Sequence, residues 1–190
     1  MIITIGRQYG AGGREIGEKL AEKLHIPLYD RKLVAIVSAH LEKGISIEHM
    51  DFSYKNLYGQ TSPYEIMLND ADVQVKDDNY LFTRQSKAIH ALAKKGDGIF
   101  IGRCTNFILK DAASANHFYI TADDEFRKLR GIAVYHKSLE ELKREDEKRA
   151  SYYNYFTGGR WGDATEYDLT INTGRSGIDK AVDTIINYVK

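Results

Sequence analysis

The first seventeen residues constrain this chain more than any other stretch. Ile2-Ile3-Thr4-Ile5 has the composition of a short buried strand, and it runs straight into Gly6, Gly10, Gly12 and Gly13. A helical pattern begins at once, with Ile16, Leu20 and Leu24 recurring every fourth position. Strand, tight glycine turn and helix together aim backbone N–H groups and the positive end of a helix at one point, which suits a phosphate group. The loop departs from the usual phosphate-loop pattern, in which Lys and then Ser or Thr follow the second glycine. Here Gly12 is followed by Gly13 and Arg14.

A dinucleotide-binding turn is the rival reading. Gly10, Gly12 and the later Asp30 match part of that fingerprint. Its third small residue would fall at position 15, where Glu15 stands, and a bulky acid there would spoil helix–strand packing and repel a pyrophosphate.

The remaining chain repeats the alternation of strand and helix. After the first helix, Ile26 to Asp30 is expected as a second strand and Arg31 to Leu41 as a helix. Residues 43–80 have little periodicity and are expected as short helical pieces and loops outside the main sheet. Tyr80 to Lys95 is expected as helix, Ile99-Phe100-Ile101 as a third strand, and Thr105 to Lys110 as a short helix. His117 to Thr121 is expected as a fourth strand, and Asp123 or Asp124 as the cap of a helix running to about His136. Residues 138–150 carry nine charges, five acidic and four basic, with only Leu139 and Leu142 large and apolar, which describes a mostly solvated helix. Thr157 to Gly162 reads as a glycine-hinged loop, Asp168 to Thr173 as a fifth strand, and Ser176 as the cap of a final helix. This order predicts an α/β chain with a parallel sheet of about five strands covered by helices on both faces. The core is expected over 1–30, 81–136 and 166–190 of a single domain spanning 1–190, with excursions over about 31–80 and 137–165.

Composition narrows the function. Lys plus Arg and Asp plus Glu both number 27, so the formal net charge is zero, which argues against a nucleic-acid partner held by bulk positive charge. Cys104 is the single cysteine, so no intrachain disulfide is expected and a cytoplasmic location fits. No apolar run approaches the roughly 20 residues of a membrane span. The histidines show no metal-ligand spacing, and no metal-ligating residues are expected. Tyr152-Tyr153-Asn154-Tyr155-Phe156 reads as an aromatic surface or lid.

Ligands of open α/β sheets bind beyond the carboxyl ends of the strands. At those ends lie the glycine loop, Asp30-Arg31, Gly102-Arg103 and Thr121, while the charged segment adds Arg144 and Arg149 and its loop adds Arg160. A glycine loop ringed by arginines suits phosphoryl transfer, which needs charge neutralisation and exclusion of water. Arg103 could equally be a structural ion-pair arginine.

Residues 6–17, Leu28-Tyr29-Asp30-Arg31, Ile101-Gly102-Arg103-Cys104, Lys148 to Tyr153, Trp161-Gly162-Asp163 and Tyr167 to Thr173 resemble the cytidylate kinase-like family of P-loop proteins nearly end to end. The resemblance implies a three-layer α/β/α P-loop fold with a monophosphate-binding excursion and a helical lid. It implies ATP and Mg²⁺ as cofactors and a small phosphorylated acceptor such as (d)CMP as partner, with no nucleic acid, no membrane and homo-oligomerisation left open. Carried over by position, Gly10, Ala11, Gly12, Gly13, Arg14 and Glu15 would bind the donor. Asp30, Arg31, Arg103 and Arg144 would bind the acceptor, and Arg14, Arg103, Arg149 and Arg160 would act on the transferring phosphate. Gly13 stands where the family's kinases carry Lys, and Ile101 where they carry an acid before Gly-Arg. A nucleotide-binding regulator with kinase architecture is therefore a second expectation.

Overall fold

The structure is a computed structural model that describes residues 1–48, 50 and 78–190. Five strands, β1 (Ile2–Arg7), β2 (Leu28–Tyr29), β3 (Gly98–Ile101), β4 (Ala115–Thr121) and β5 (Leu169–Asn172), form one parallel sheet in the order β2-β3-β1-β4-β5. β1 lies at its centre, pairing Ile5 with Ile101 on one side and with Phe118 on the other.

Successive strand residues face opposite sides of a sheet, and both sides are buried here. Ile3, Ile5, Ile99, Ile101, Phe118 and Ile120 pack with Ile16 and Leu20 of α1 (Gly13–Leu24) and Ala181, Val182 and Ile185 of α8 (Ile178–Val189). Ile2, Tyr29 and Phe100 pack with Leu33, Val34 and Val37 of α2 (Arg31–Glu42) and Ala88, Ile89 and Leu92 of α3 (Asp78–Lys94). Helix, sheet and helix make the three expected layers. The expected irregular pieces between Lys43 and Tyr80 lie largely outside the described residues.

Further along, α4 (Thr105–Ile108) follows β3, and α5 (Asp124–Arg130) follows β4. Asp123 caps α5, its carboxylate accepting from the Phe126 N–H at 3.0 Å. The helix expected to reach His136 changes character early: Gly131–Tyr135 is a π-helical turn, closed by His136 at φ 53°. The charged helix α6 (Leu139–Thr157) begins in a capping box between Ser138 and Glu141. It runs through the tyrosine cluster and ends at Gly158. Aromatic side chains continue its buried stripe, so Tyr153 is buried while Tyr155 is exposed. A 3₁₀ turn (Ala164–Glu166) precedes β5. One expectation fails at the end of the chain. Ser176 closes the short α7 (Thr173–Ser176) and returns its hydroxyl to the Asn172 carbonyl, so the cap position of α8 falls to Gly177 without a side-chain bond.

Candidate active site

The glycine loop joins β1 to α1. Gly10 and Gly12 adopt φ of 83° and 84°, a left-handed backbone that residues with a Cβ enter at a cost. Gly12 stands at the α1 N-cap with no side chain closing it, leaving the first-turn N–H groups to a ligand or water. Thr173 fastens the loop from beneath, donating its hydroxyl to the Ala11 carbonyl at 2.7 Å. Ala11 is fully buried.

Helix α6 lies against this loop. Leu142 is fully buried, and its side chain lies 3.0 Å from where a Cβ on either Gly10 or Gly131 would stand. Four residues on, the Asp146 carboxylate accepts the Tyr9 N–H at 2.7 Å and pairs with Arg127. Arg127 in turn donates to the Tyr9 carbonyl at 2.9 Å. Arg149 is 3.4 Å from Asp146, donates to the Arg7 carbonyl at 3.3 Å, and lies 4.8 Å from the Tyr9 ring centroid. Burial raises the Asp146 pKa above its ordinary value, against the Tyr9 N–H and the guanidiniums of Arg127, Arg149 and Arg7.

Between this helix and the carboxyl ends of β1 and β3 lies a cavity of about 400 Å³. Among the described residues five cationic side chains line it, Arg7, Arg31, Arg103, Lys148 and Arg149, against one carboxylate, Glu145. Glu145 is engaged by Lys148 at 2.8 Å. Among the described residues no carboxylate lies within 4 Å of the Arg7, Arg31 or Arg103 guanidinium, so the cavity holds uncompensated positive charge. Arg7 feels it most. Its burial, then Arg149 and Arg103, lower its pKa from 12.5 to about 9, opposed by Asp146. Arg103 is also lowered, by burial and then by Arg31. Tyr152, Tyr153, Trp161 and Tyr167 complete the wall. Arg103 sits 5.8 Å from the Tyr152 ring centroid, and burial raises the Tyr152 pKa, opposed by Arg103. Tyr153 is fixed by the Asn106 amide, which donates to its hydroxyl at 2.8 Å.

The residues expected from sequence divide in two. Arg31, Arg103 and Arg149 meet in the cavity. Arg14 projects from the first turn of α1 toward the helix flank, 2.9 Å from Glu18 and 3.6 Å from Asp30. Asp30 caps α2, accepting from the N–H groups of Lys32 and Leu33 at 3.0 and 3.1 Å. Glu15 pairs with Arg130 at 2.8 Å. Arg144 is exposed and outside the cavity lining. Arg160 is also outside it, 83% exposed, with Asp163 3.9 Å away. Gly10, Ala11, Gly12 and Gly13 form the loop beside the cavity rather than its wall. Sequence reading overlooked Arg7, Asp146 and Arg127. Arg7 carried a legible signal, since it ends the central strand where strand ends meet ligands. Asp146 and Arg127 carried none, being two charges among many.

The donor set bears on the two groups that the resemblance implies. The loop's left-handed glycines and its open α1 N-terminus fit the phosphates of ATP. Among the described residues no group of three or more His, Cys, Asp or Glu could hold a metal ion, and Mg²⁺ in phosphoryl-transfer sites is held by one or two carboxylates, waters and the phosphates rather than by such a group.

Comparisons with known proteins agree with this architecture. A protein of Eubacterium ventriosum described as uncharacterized superposes with a TM-score of 0.75 at 26% identity, covering 100% of this chain and 98% of that one. Shikimate kinase from Bacteroides thetaiotaomicron superposes at 0.54 with 12% identity, covering 100% and 98%. The Bacillus subtilis YorR protein, solved in complex with phosphorylated GDP, superposes at 0.52 with 14% identity, covering 100% and 95%. The last two likenesses show the fold alone. No curated protein matches the chain. The sequence pattern of the cytidylate kinase-like family matches residues 2–175, and the chain belongs to that family.

Proposed function

We propose that this protein transfers a phosphoryl group from ATP to a small phosphorylated acceptor, most simply a (d)CMP-type nucleoside monophosphate. The observation that carries the reading is the cavity with five cations and one engaged carboxylate, set beside the glycine loop at the carboxyl edge of the sheet. Arg7 and Arg103 are shielded from water with no carboxylate within 4 Å among the described residues, an arrangement that is unfavourable unless an anion enters. A ligand with several negative charges turns that cost into binding.

ATP supplies the phosphoryl group. The backbone of Gly10 to Arg14 holds the donor phosphates at the N-terminus of α1. Arg31 and Arg103 hold the acceptor's anionic group from the β2 and β3 ends, and Asp30 sets Arg31 in place by capping its helix. Arg149 leaves the Asp146 carboxylate and meets the transferring group from the lid. Tyr153, Tyr167 and Trp161 keep water from that side. Mg²⁺, when bound with ATP, would neutralise charge on the donor phosphates.

Ile101, 3% exposed in the position of the family's acid, favours a second reading, a protein that binds nucleotide without transferring phosphate. Coupled ADP release with ATP, Mg²⁺ and a panel of nucleoside monophosphates separates the two. Turnover that falls on the order of 10²–10³ in Arg149→Ala supports the kinase. Thermal stabilisation by ATP with no turnover on any acceptor would leave the binding protein, and stabilisation by no nucleotide would remove both.

A further inference from the structure

We propose that Arg7 supplies the phosphate-binding cation that a conventional phosphate loop takes from the lysine after its second glycine, and that Gly13 is glycine because the Arg7 side chain fills the space in front of it. The inference rests on the kinase reading and concerns the residue that stands where the loop pattern has its first glycine, five positions before Gly12.

The geometry is specific. A Cβ on Gly13 would stand 2.7 Å from the Arg7 Cβ and 2.8 Å from its Cγ. The arginine stem therefore crosses the point from which a side chain at position 13 would leave. The same side chain then reaches Gly102, where a Cβ would overlap its Nη1 atom. Its guanidinium thus lies between the glycine loop and the end of β3, in the cavity wall. The Arg7 backbone is fixed by the β1–β4 ladder, where it pairs with Ile120, and by Arg149 on its carbonyl. No carboxylate within 4 Å accounts for the charge among the described residues, and crowding by Arg149 and Arg103 adds to the demand for an anion. Arg14, the nearer cation in sequence, is turned toward Glu18 and Asp30. A guanidinium offers five donors in a planar fork that matches phosphate oxygens, so a cation displaced by six positions can still face the same phosphates.

The test exchanges the two positions. Thermal shifts with ATP and with inorganic tripolyphosphate, each referenced to the variant's own unliganded midpoint, are measured beside coupled ADP release. Arg7→Met keeps the stem and loses the charge, and is expected to lose most of both thermal shifts and on the order of 10²–10³ in turnover. Arg7→Gly combined with Gly13→Lys restores the conventional arrangement and is expected to regain shift and turnover over Arg7→Gly alone. Arg7→Met with an undiminished tripolyphosphate shift would overturn the role. A double variant no better than Arg7→Gly would overturn the exchange of positions. A wild type shifted by neither probe would remove the kinase reading itself, and this role with it.

Discussion

At the scale of residues, the turn after β3 shows most clearly what the site costs. Gly102, Arg103 and Cys104 take φ of 70°, 58° and 56° in succession. A residue with a Cβ pays about 1–2 kcal/mol to enter that region, and Arg103 also buries charge beside Arg31. Arg103→Gly is therefore expected to raise stability by about 1 kcal/mol while lowering turnover at least tenfold, read from melting curves and ADP release. Loss of stability in parallel with activity would mean that Arg103 serves the fold instead. Cys104 gains no reactivity from its position, because burial pushes its thiol up to about 12. Arg103, Arg31 and Arg149 were legible in the sequence because strand ends and a charged segment are local patterns. Arg7 ends the central strand by the same local pattern, but the side chain's path past Gly13 depends on the space left there, which only the folded loop reveals.

At the scale of elements, α6 is mostly solvated as its pattern reads, with two buried residues that the pattern does not mark. Its nine charges over residues 138–150 read as a solvated face, and most of them are. The two residues that matter to the loop, Leu142 and Asp146, are four apart on one face and buried. Asp146 plays the part of an anion at the loop: it accepts a loop N–H and pairs with Arg127 and Arg149. On the proposed reading, phosphates entering the site compete with it for Arg149. Asp146→Asn is thus expected to act in opposite directions. Stability should fall by about 3 kcal/mol, as when one partner of a buried pair is removed, while tripolyphosphate binds more tightly. Urea unfolding and titration calorimetry read the two effects. Weaker anion binding in the variant would show that Asp146 orients the arginines rather than rivals the ligand.

At the scale of the molecule, the sheet was the most legible feature. Short apolar runs separated by amphipathic helices specify parallel strands wherever they occur, and all five strands lie where those runs lie, with β1 and β4 each two residues longer at one end. The helix after β4 was less legible, because nothing in Gly131–Tyr135 distinguishes a π-helical turn from a continuing helix; the need to seat Gly131 against Leu142 is a tertiary demand. One half-buried histidine ties sheet stability to pH. His117 pairs with Thr4 across β1 and β4, its Nδ1 2.8 Å from the threonine hydroxyl. Burial lowers its pKa below the ordinary 6.5, opposed by Asp168. The unfolded chain then takes up the proton first, so the stability due to neutral His117 is fully present above about pH 6.5 and is lost as pH falls through the folded value. His117→Gln is expected to flatten that part of the acid dependence, measured as urea midpoints between about pH 7.5 and about pH 5. An unchanged slope would assign the acid sensitivity to the carboxylates.

The crowding of cations in one cavity of a chain with no net charge also sets how the protein is seen from different distances. Beyond a Debye length of roughly 8 Å the opposing charges blur toward neutrality. Inside that range a small solute meets a strongly positive field framed by aromatic walls. On the proposed reading, long polyelectrolytes are not drawn from afar, while compact multivalent anions are held once diffusion brings them to the mouth. On that reading, selectivity by reach rather than by overall charge would let such a site take small phosphates in a medium crowded with nucleic acid, and capture would depend on fit at contact rather than on long-range steering.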